Sequence, residues 1–516
     1  MDTQSPHHDR RWLMLPVLCL SVFLVVVDNT IVNVALPSLS RDLGASITDL
    51  QWIVDAYSLA FAGLLLAGGG VGDRLGRKGV MQVGLLFFGG FSVLAAMSSS
   101  TGELISARAL MGIAAAFVFP ATLAILTSVF TDPSDRQKAL GIWGATSGLA
   151  VAFGPITGGA LLEHFWYGSI FLINVPLVLV TLVLGQVLIP RIPAPTQRRF
   201  DTRGVIVSTL GVTLLVLAII QGPQWGWTSV GTLSCFAAAA AILGSFVLLE
   251  LNTEEPLLDV RVFAIPKFST GAMAIAVSFF CLFGFIFLIT QYFQFVKGYS
   301  TLSAGVHTLP FAIVSAVFTP IGAVLALKVG IRLVSGVGLL AMALGLVIVG
   351  LTGTPSASYF GWILVAMVFL ALGLSFNTAP ATEAVMSALT PEQVGAGAAV
   401  NNTTRELGGT LGVAVIGSVF ASSYAPKIAS TLKGLPIPPA AKRAAGDSIA
   451  AALTVVGHAP TAAQPAIRTS VFLAFSSGLE VACFVAAAVA VLGAIVSFSL
   501  LPGRAERPEG RALALH

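Results

Sequence analysis

The chain has 516 residues, 56% of them hydrophobic and only 10% charged, with a mean hydropathy of +0.92 and a formal net charge of +4. Soluble domains carry roughly 25% charged residues, so this composition excludes an ordinary soluble protein, and the small positive charge gives no sign of a nucleic-acid partner. Transmembrane strands would read as short alternating segments; here the apolar residues form long runs, each enough for a helix of about 20 residues across a bilayer.

Fourteen such runs follow one another, at 12–36, 50–71, 79–98, 103–129, 137–162, 169–190, 204–221, 230–250, 269–296, 303–327, 331–352, 359–388, 395–424 and 470–501. The first is too long for the apolar core of a signal peptide, and it ends in Leu-Pro-Ser-Leu with no small-residue cleavage site, so it is expected to be a retained span. An even number of crossings puts both termini on one side. Lys and Arg crowd that side: Arg10, Arg11, Arg74, Arg77, Lys78, Arg136, Lys138, Arg191, Arg198, Arg199, Arg203, Arg261, Lys267, Lys328, Arg332, Arg504, Arg507 and Arg511. The short connections opposite hold Arg41 and Lys297. The positive-inside rule then makes both termini cytoplasmic. The Pro-rich, basic stretch 189–203 separates six spans from the rest. A long external loop, 425–469, precedes the last run; it has room for short helices or a hairpin, and no function is legible in it.

Several charges lie inside the apolar runs. A charge at that depth costs about 2.5–3.5 kcal/mol on insertion scales, so each is expected to face a cavity or a partner. Asp28 is roughly 12 Å from the outer end of the first run and Arg108 roughly 8 Å into the fourth from the same side, a similar depth that suits a pair. Asp55 is near the outer end of the second run. Glu406 lies roughly 16 Å from the cytoplasmic end of the thirteenth, near the midplane. Arg405 precedes it and points about 100° away around the helix, so the two do not simply face each other. Glu383 is nearer the cytoplasmic end of the twelfth run, and Glu480 lies inside the fourteenth. A carboxylate taken out of water holds a proton more readily, which is the chemistry a proton-coupled carrier uses. Trp52, Trp143, Phe280 and Phe376 offer aromatic faces to a cation.

Cys19, Cys235, Cys281 and Cys483 all sit in apolar runs without metal-ligand spacing, and the histidines have no ligand-spaced partners. No nucleophile–His–Asp set, P-loop, zinc or dinucleotide signature is present. No metal, cofactor or catalytic residue is therefore expected, and the chain does not read as an enzyme.

GGVGDRLGRKG (69–79), between the second and third runs, carries glycines for a tight turn and an acid among bases: Gly69, Asp73, Arg74, Gly76, Arg77 and Lys78. Such a cluster suits a latch between helix bundles. The stretch resembles the cytoplasmic loop signature of the major facilitator superfamily. VDNTIVNVALP (27–37) resembles the first-span motif of its drug:proton antiporters, and ARALMGIAAA (107–116) their fourth-span motif, with Met111 where relatives usually have Gln. GLAVAFGPITGG (148–159) resembles their fifth-span antiporter motif, through Gly148, Gly154, Pro155, Gly158 and Gly159. FWYGSIFLINVP (165–176) and NNTTRELGGTLGVAV (401–415) are similar to the sixth- and thirteenth-span segments, and an acid at the Glu406 position is similar to the quaternary-ammonium exporters.

The resemblance implies an all-α integral membrane fold of 14 transmembrane helices. A six-helix bundle at 1–190 and another at 269–503 flank a cytoplasmic linker and an inserted helix pair at 191–268, and a cytoplasmic tail follows at 504–516. It implies a proton-coupled multidrug efflux antiporter of the bacterial cytoplasmic membrane, handling lipophilic and chiefly cationic small molecules by alternating access. Its partners are protons and membrane lipids, and it acts as a monomer. The charges inside the apolar runs, Asp28, Arg108, Glu406, Asp55, Glu383 and Glu480, are the candidates for proton coupling and substrate binding, and the resembled motifs include the first three. The second-half counterpart of the Asp73 loop, ALKVGIR (326–332), lacks the acid, so any latch rests on the first half. An exporter of a lipid or a self-made metabolite on the same fold is the alternative.

Overall fold

The structure is a computed structural model that describes residues 7–503 except 44, 46, 191–200, 255, 391–392, 434–436 and 462. The basic linker at 191–200 and the tail at 504–516 lie outside the described residues. Fourteen helices are long and apolar enough to cross a membrane. The first six are α1 (His7–Leu43), α2 (Ile47–Leu75), α3 (Arg77–Ala96), α4 (Thr101–Val129), α5 (Pro133–His164) and α6 (Ser169–Leu188, broken for one residue at Ile173). Then come α7 (Thr202–Trp225), α8 (Val230–Leu251), α9 (Pro266–Val296), α10 (Thr301–Val329), α11 (Ile331–Thr352), α12 (Tyr359–Met386) and α13 (Val394–Thr431). Two short helices, α14 (Pro439–Asp447) and α15 (Ile449–Gly457), precede the last span, α16 (Gln464–Leu500).

Local chemistry sets many of the helix starts. Ser100, Asp132, Asp201, Ser229 and Ser300 each accept from a backbone N–H in the first turn of the helix they open, satisfying a donor that would otherwise have no partner. The tight joint between α2 and α3 turns on Gly76 at φ 97°, and the joint between α10 and α11 on Gly330 at φ 99°. These left-handed conformations favour glycine, and they place the same turn at equivalent points of the two halves.

Helices α1–α6 pack as one bundle and α9–α13 with α16 as a second. Two seams join them: α5 runs along α10, and α2 along α13. The first seam is lined by small residues. A methyl group at Gly141 would come within 2.9 Å of the Pro320 backbone, and one at Gly148 within 3.3 Å of Ser315. The inserted pair α7–α8 sits beside the second seam, with α7 against both α2 and α13. Close approach to α2 is made at Gly63, where an added Cβ would lie 2.2 Å from Thr213 Oγ1. Trp227, in the turn between α7 and α8, donates to Ser418 Oγ of α13 at 2.8 Å. At the far end of the pair, Glu250 accepts from Leu258 N–H at 3.0 Å. Its other oxygen and Asp201 Oδ2 both lie 2.3 Å from where a Cβ on Gly204 would stand.

The segment at 425–469 differs from the expected loop. Helix α13 continues to Thr431 despite Pro426, and α16 begins at Gln464. The reason is burial: Ile428 and Leu432, beyond α13's expected end, join one buried cluster with Ala445 of α14, Ile449, Ala452 and Val456 of α15, and Ile467 and Val471 of α16, with α14 packed on α13 and α15 on α16. The connection is thus a short helical hairpin seated on the ends of two spans.

Candidate functional site

A cavity opens where the two bundles meet. Its walls come from α1 (Val25, Val26, Asn29, Thr30), α2 (Tyr57, Phe61), α4 (Phe119), α5 (Gly144, Ser147, Gly148, Val151), α9 (Phe279, Leu282, Phe283), α10 (Ser315, Thr319), α12 (Leu374, Thr378) and α13 (Asn402, Arg405, Glu406). The lining is mostly apolar and aromatic with a few polar groups, the usual make-up of a small-molecule site. Arg405 and Glu406 are the charged side chains in that lining.

Glu406 reaches the cavity with no hydrogen bond or ion pair to its carboxylate among the described residues. Arg405 turns to a different neighbour, as the angle between adjacent helix positions requires. Its guanidinium lies 4.7 Å from the Trp143 ring centroid and 5.1 Å from that of Phe279, and Nη2 donates to Thr382 Oγ1 at a long 3.4 Å. Trp143 is fixed in turn by a 3.2 Å bond from its indole N–H to Thr122 Oγ1.

Asp28 and Arg108 meet, as their matched depths suggested, but behind the cavity wall. Arg108 Nη1 donates to Asp28 Oδ2 at 2.6 Å, and both side chains are fully buried. Asn174 Nδ2 donates to Asp28 Oδ1 at 2.7 Å, Arg108 Nε donates to Ile53 O at 3.1 Å, and the Tyr57 ring lies 4.2 Å from the guanidinium carbon. Tyr57 also lines the cavity, so its ring touches both the ion pair and the cavity. Met111 is buried with its sulfur 4.0 Å from Ser92 Oγ.

The remaining acids lie elsewhere. Asp55 is half-buried on α2, without a hydrogen bond or ion pair among the described residues, and is absent from the cavity wall. Glu383 also stands outside the cavity and joins the two bundles: Arg136, at the start of α5, holds it through two bonds, with Nε–Oε2 at 2.9 Å. Glu480 is exposed on α16, away from the cavity, because its helix turns Leu479 and Ala482 inward instead. The aromatic rings at the cavity are Tyr57, Phe61, Phe119, Phe279 and Phe283, while Trp52, Phe280 and Phe376 are not part of its wall.

In the signature loop, Gly69 is buried in α2 and Arg74 is exposed. Asp73 accepts from Arg77 Nε at 2.9 Å and Nη2 at 2.8 Å. Arg77 continues to the end of α4, donating to Ala124 O at 3.3 Å and to Ser128 Oγ. Lys78 caps α6 by donating to Gln186 O at 3.0 Å and Ile189 O at 2.6 Å. The glycines of α5 divide their work. A Cβ at Gly154 would lie 2.0 Å from Thr30 Oγ1 and one at Gly158 2.8 Å from Ile31, so these two admit α1. Gly148 and Gly159 face Ser315 and Leu302 of α10, and Pro155 abuts Gly305 of that helix.

Sequence reasoning misses Asn174, Tyr57, Phe279 and Arg136 as partners of the buried charges. An Asn inside an apolar run is a usable signal for the first; the others depend on which helices become neighbours.

Comparison with known proteins agrees with this architecture. The chain is 34% identical over 501 residues to the multidrug efflux pump LfrA of Mycolicibacterium smegmatis, covering 96% of each chain. It is 36% identical over 424 residues to the methyl viologen resistance protein SmvA of Salmonella typhimurium, covering 81% of this chain and 84% of that one. The crystal structure of the human organic anion transporter MFSD10 superposes with a TM-score of 0.64 at 14% identity, over 96% of this chain and 100% of that one, a likeness of fold alone. The sequence pattern of the Major Facilitator Superfamily matches residues 18–413, and with fourteen spans in two bundles around a central cavity the chain belongs to that superfamily of transporters.

Proposed function

We propose that this protein is a proton-coupled multidrug antiporter that exports amphipathic, chiefly cationic compounds, among them quaternary ammonium biocides and dyes. It works by alternating access across the bacterial cytoplasmic membrane, as a monomer with both termini cytoplasmic. The observation that carries the reading is Glu406, a carboxylate without a partner that lines an aromatic cavity between the two bundles. Similarity to the efflux pump LfrA and to the methyl viologen resistance protein SmvA supports it.

Ionised Glu406 supplies the counter-charge for a cation, and the rings of Phe279, Phe283 and Tyr57 add cation–π attraction. A proton arriving from outside competes for the same carboxylate and releases the cargo. Cargo and proton favour different states, and their competition couples the two flows. Asp28 is a second proton-exchange site: protonating it would break its pair with Arg108 and alter the support behind Tyr57. The Asp73–Arg77 loop acts as the latch of the first bundle, and Arg136–Glu383 as a tie between bundles on the same face. Asp55 remains a candidate for proton passage. Glu480, exposed on α16, is read as facing lipid.

The test is ethidium efflux from vesicles with an imposed proton gradient. Wild type is expected to pump only with the gradient and Glu406→Gln to stop; Asp28→Asn is expected to lose ethidium-dependent proton flux while folded. A wild type that moves no ethidium under any gradient would refute the cargo class and leave lipid or metabolite export as the reading of this fold.

A further inference from the structure

Arg405 is a buried cation with no salt bridge among the described residues; the nearest opposite charge it feels is its chain neighbour Glu406, beyond ion-pair distance. Its side chain is 4% exposed inside a membrane span, and a guanidinium cannot shed its charge. Of its five N–H groups, one finds an acceptor, Thr382 Oγ1 at 3.4 Å, and Nε is buried without any. No carboxylate lies within 4.0 Å of it among the described residues, its chain neighbour Glu406 included. Arg108 makes the contrast: equally buried, it is neutralised by Asp28 at 2.6 Å. A fold that needed only a structural Arg at 405 would leave it similarly paired. Instead the guanidinium lies over the rings of Trp143 and Phe279, and its residue lines the same cavity as Glu406, which also has no hydrogen bond or ion pair among the described residues.

We propose that Arg405 is the anion-binding pole of a two-pole cargo site, and that among the cationic amphipaths proposed above the site favours those that also carry an acidic group on their aromatic or apolar body. The acidic group docks on the Arg405 guanidinium, whose fork suits a carboxylate. The cationic group docks on Glu406, a step that rests on the function proposed above. With Glu406 ionised, the two poles cancel. A simple cation then meets repulsion from Arg405 along with attraction from Glu406, whereas a zwitterion satisfies both.

The experiment uses purified full-length protein in detergent and two dyes that differ by one group: rhodamine B, which carries a carboxylate and a delocalised cation, and its ethyl ester, which carries only the cation. Fluorescence anisotropy gives Kd for each dye on wild type, Arg405→Gln, Arg405→Lys and Glu406→Gln. Arg405→Gln is expected to weaken rhodamine B by about tenfold or more and to leave the ester unchanged or tighter, with Arg405→Lys losing part of the acid's affinity because it keeps the charge without the fork. Equal weakening of both dyes, or no change for the acid, overturns the proposal. If Arg405→Gln does not fold, Arg405→Lys decides alone: a drop in the acid-to-ester ratio supports the second pole, and an unchanged ratio removes it. The function proposed for Glu406 fails separately, if wild type does not bind the ester or if Glu406→Gln binds it normally.

Discussion

Replacing Asp28 by Asn leaves Arg108 a cation in a dry interior. The guanidinium keeps its bond to Ile53 O at 3.1 Å and the Tyr57 face at 4.2 Å, and loses the counter-charge at 2.6 Å. Breaking a buried ion pair from one side costs about 3–5 kcal/mol. Arg108→Gln is expected to cost less, about 1–3 kcal/mol, because the stranded carboxyl keeps Asn174 at 2.7 Å and can bind a proton, an option closed to Arg. The double variant replaces two charges by two amides and restores neutrality, so it should melt above Asp28→Asn and no lower than Arg108→Gln. Thermal unfolding in detergent, followed with a thiol-reactive fluorophore, reads this directly. Cys19, Cys281 and Cys483 are buried and react on unfolding, while half-buried Cys235 is removed in the background chain. A double variant that melts at the sum of the two single losses would show that Asp28 and Arg108 do not interact, and the reading of this pair would be wrong.

Gly154→Ala should lower the melting temperature and export together, since its methyl would stand 2.0 Å from Thr30 Oγ1 and 2.9 Å from the Ile31 backbone N, a clash worth about 1–3 kcal/mol; Gly90→Ala, with open space around it, is the neutral control. Glu383→Gln should weaken the tie to Arg136 and raise maleimide labelling of a cysteine placed at Ser147 in the cavity wall, applied from the face that bears Arg136; unchanged labelling would mean the pair does not restrain the bundles. Gly204→Ala should loosen the inserted pair α7–α8 by driving a methyl to 2.3 Å from both Asp201 and Glu250, seen as faster proteolysis between the halves. Asp73→Asn should slow the exchange between inward- and outward-open states while sparing equilibrium dye binding, which stopped-flow and titration separate.

Hydropathy alone delivers the spans, because each helix must hide its backbone from lipid with its own apolar residues. Depth along a helix follows from counting at 1.5 Å per residue, which is why residue spacing by itself matches Asp28 to Arg108. Rotation about the helix axis is harder to read. Phe279 stacks on Arg405 and lines the cavity while Phe280 does neither, and a one-residue step turns a side chain by about 100°. Glu480 shows the same difficulty: its spacing places it inside the last span, while its side chain is exposed and not part of the cavity wall. The Arg136–Glu383 contact spans 247 positions of sequence, and no local pattern encodes which loop of one bundle meets which helix of the other. The end of α13 escapes a hydropathy reading because its added turns are mostly exposed and bury Ile428 only where α14 packs on them, a hairpin that hydropathy averaging dissolves.

That hairpin belongs to one bundle. Its helix α14 packs on α13 and its helix α15 on α16, and its buried residues Ala445, Ile449, Ala452 and Val456 share one cluster with Ile428, Leu432, Ile467 and Val471 within the core of the second half. In the proposed alternating access it would travel with α13 and α16 as a rigid handle. A fluorescent label or a small binding protein fixed on α14, at an exposed position such as Arg443, would report the orientation of the whole second half without touching the cavity.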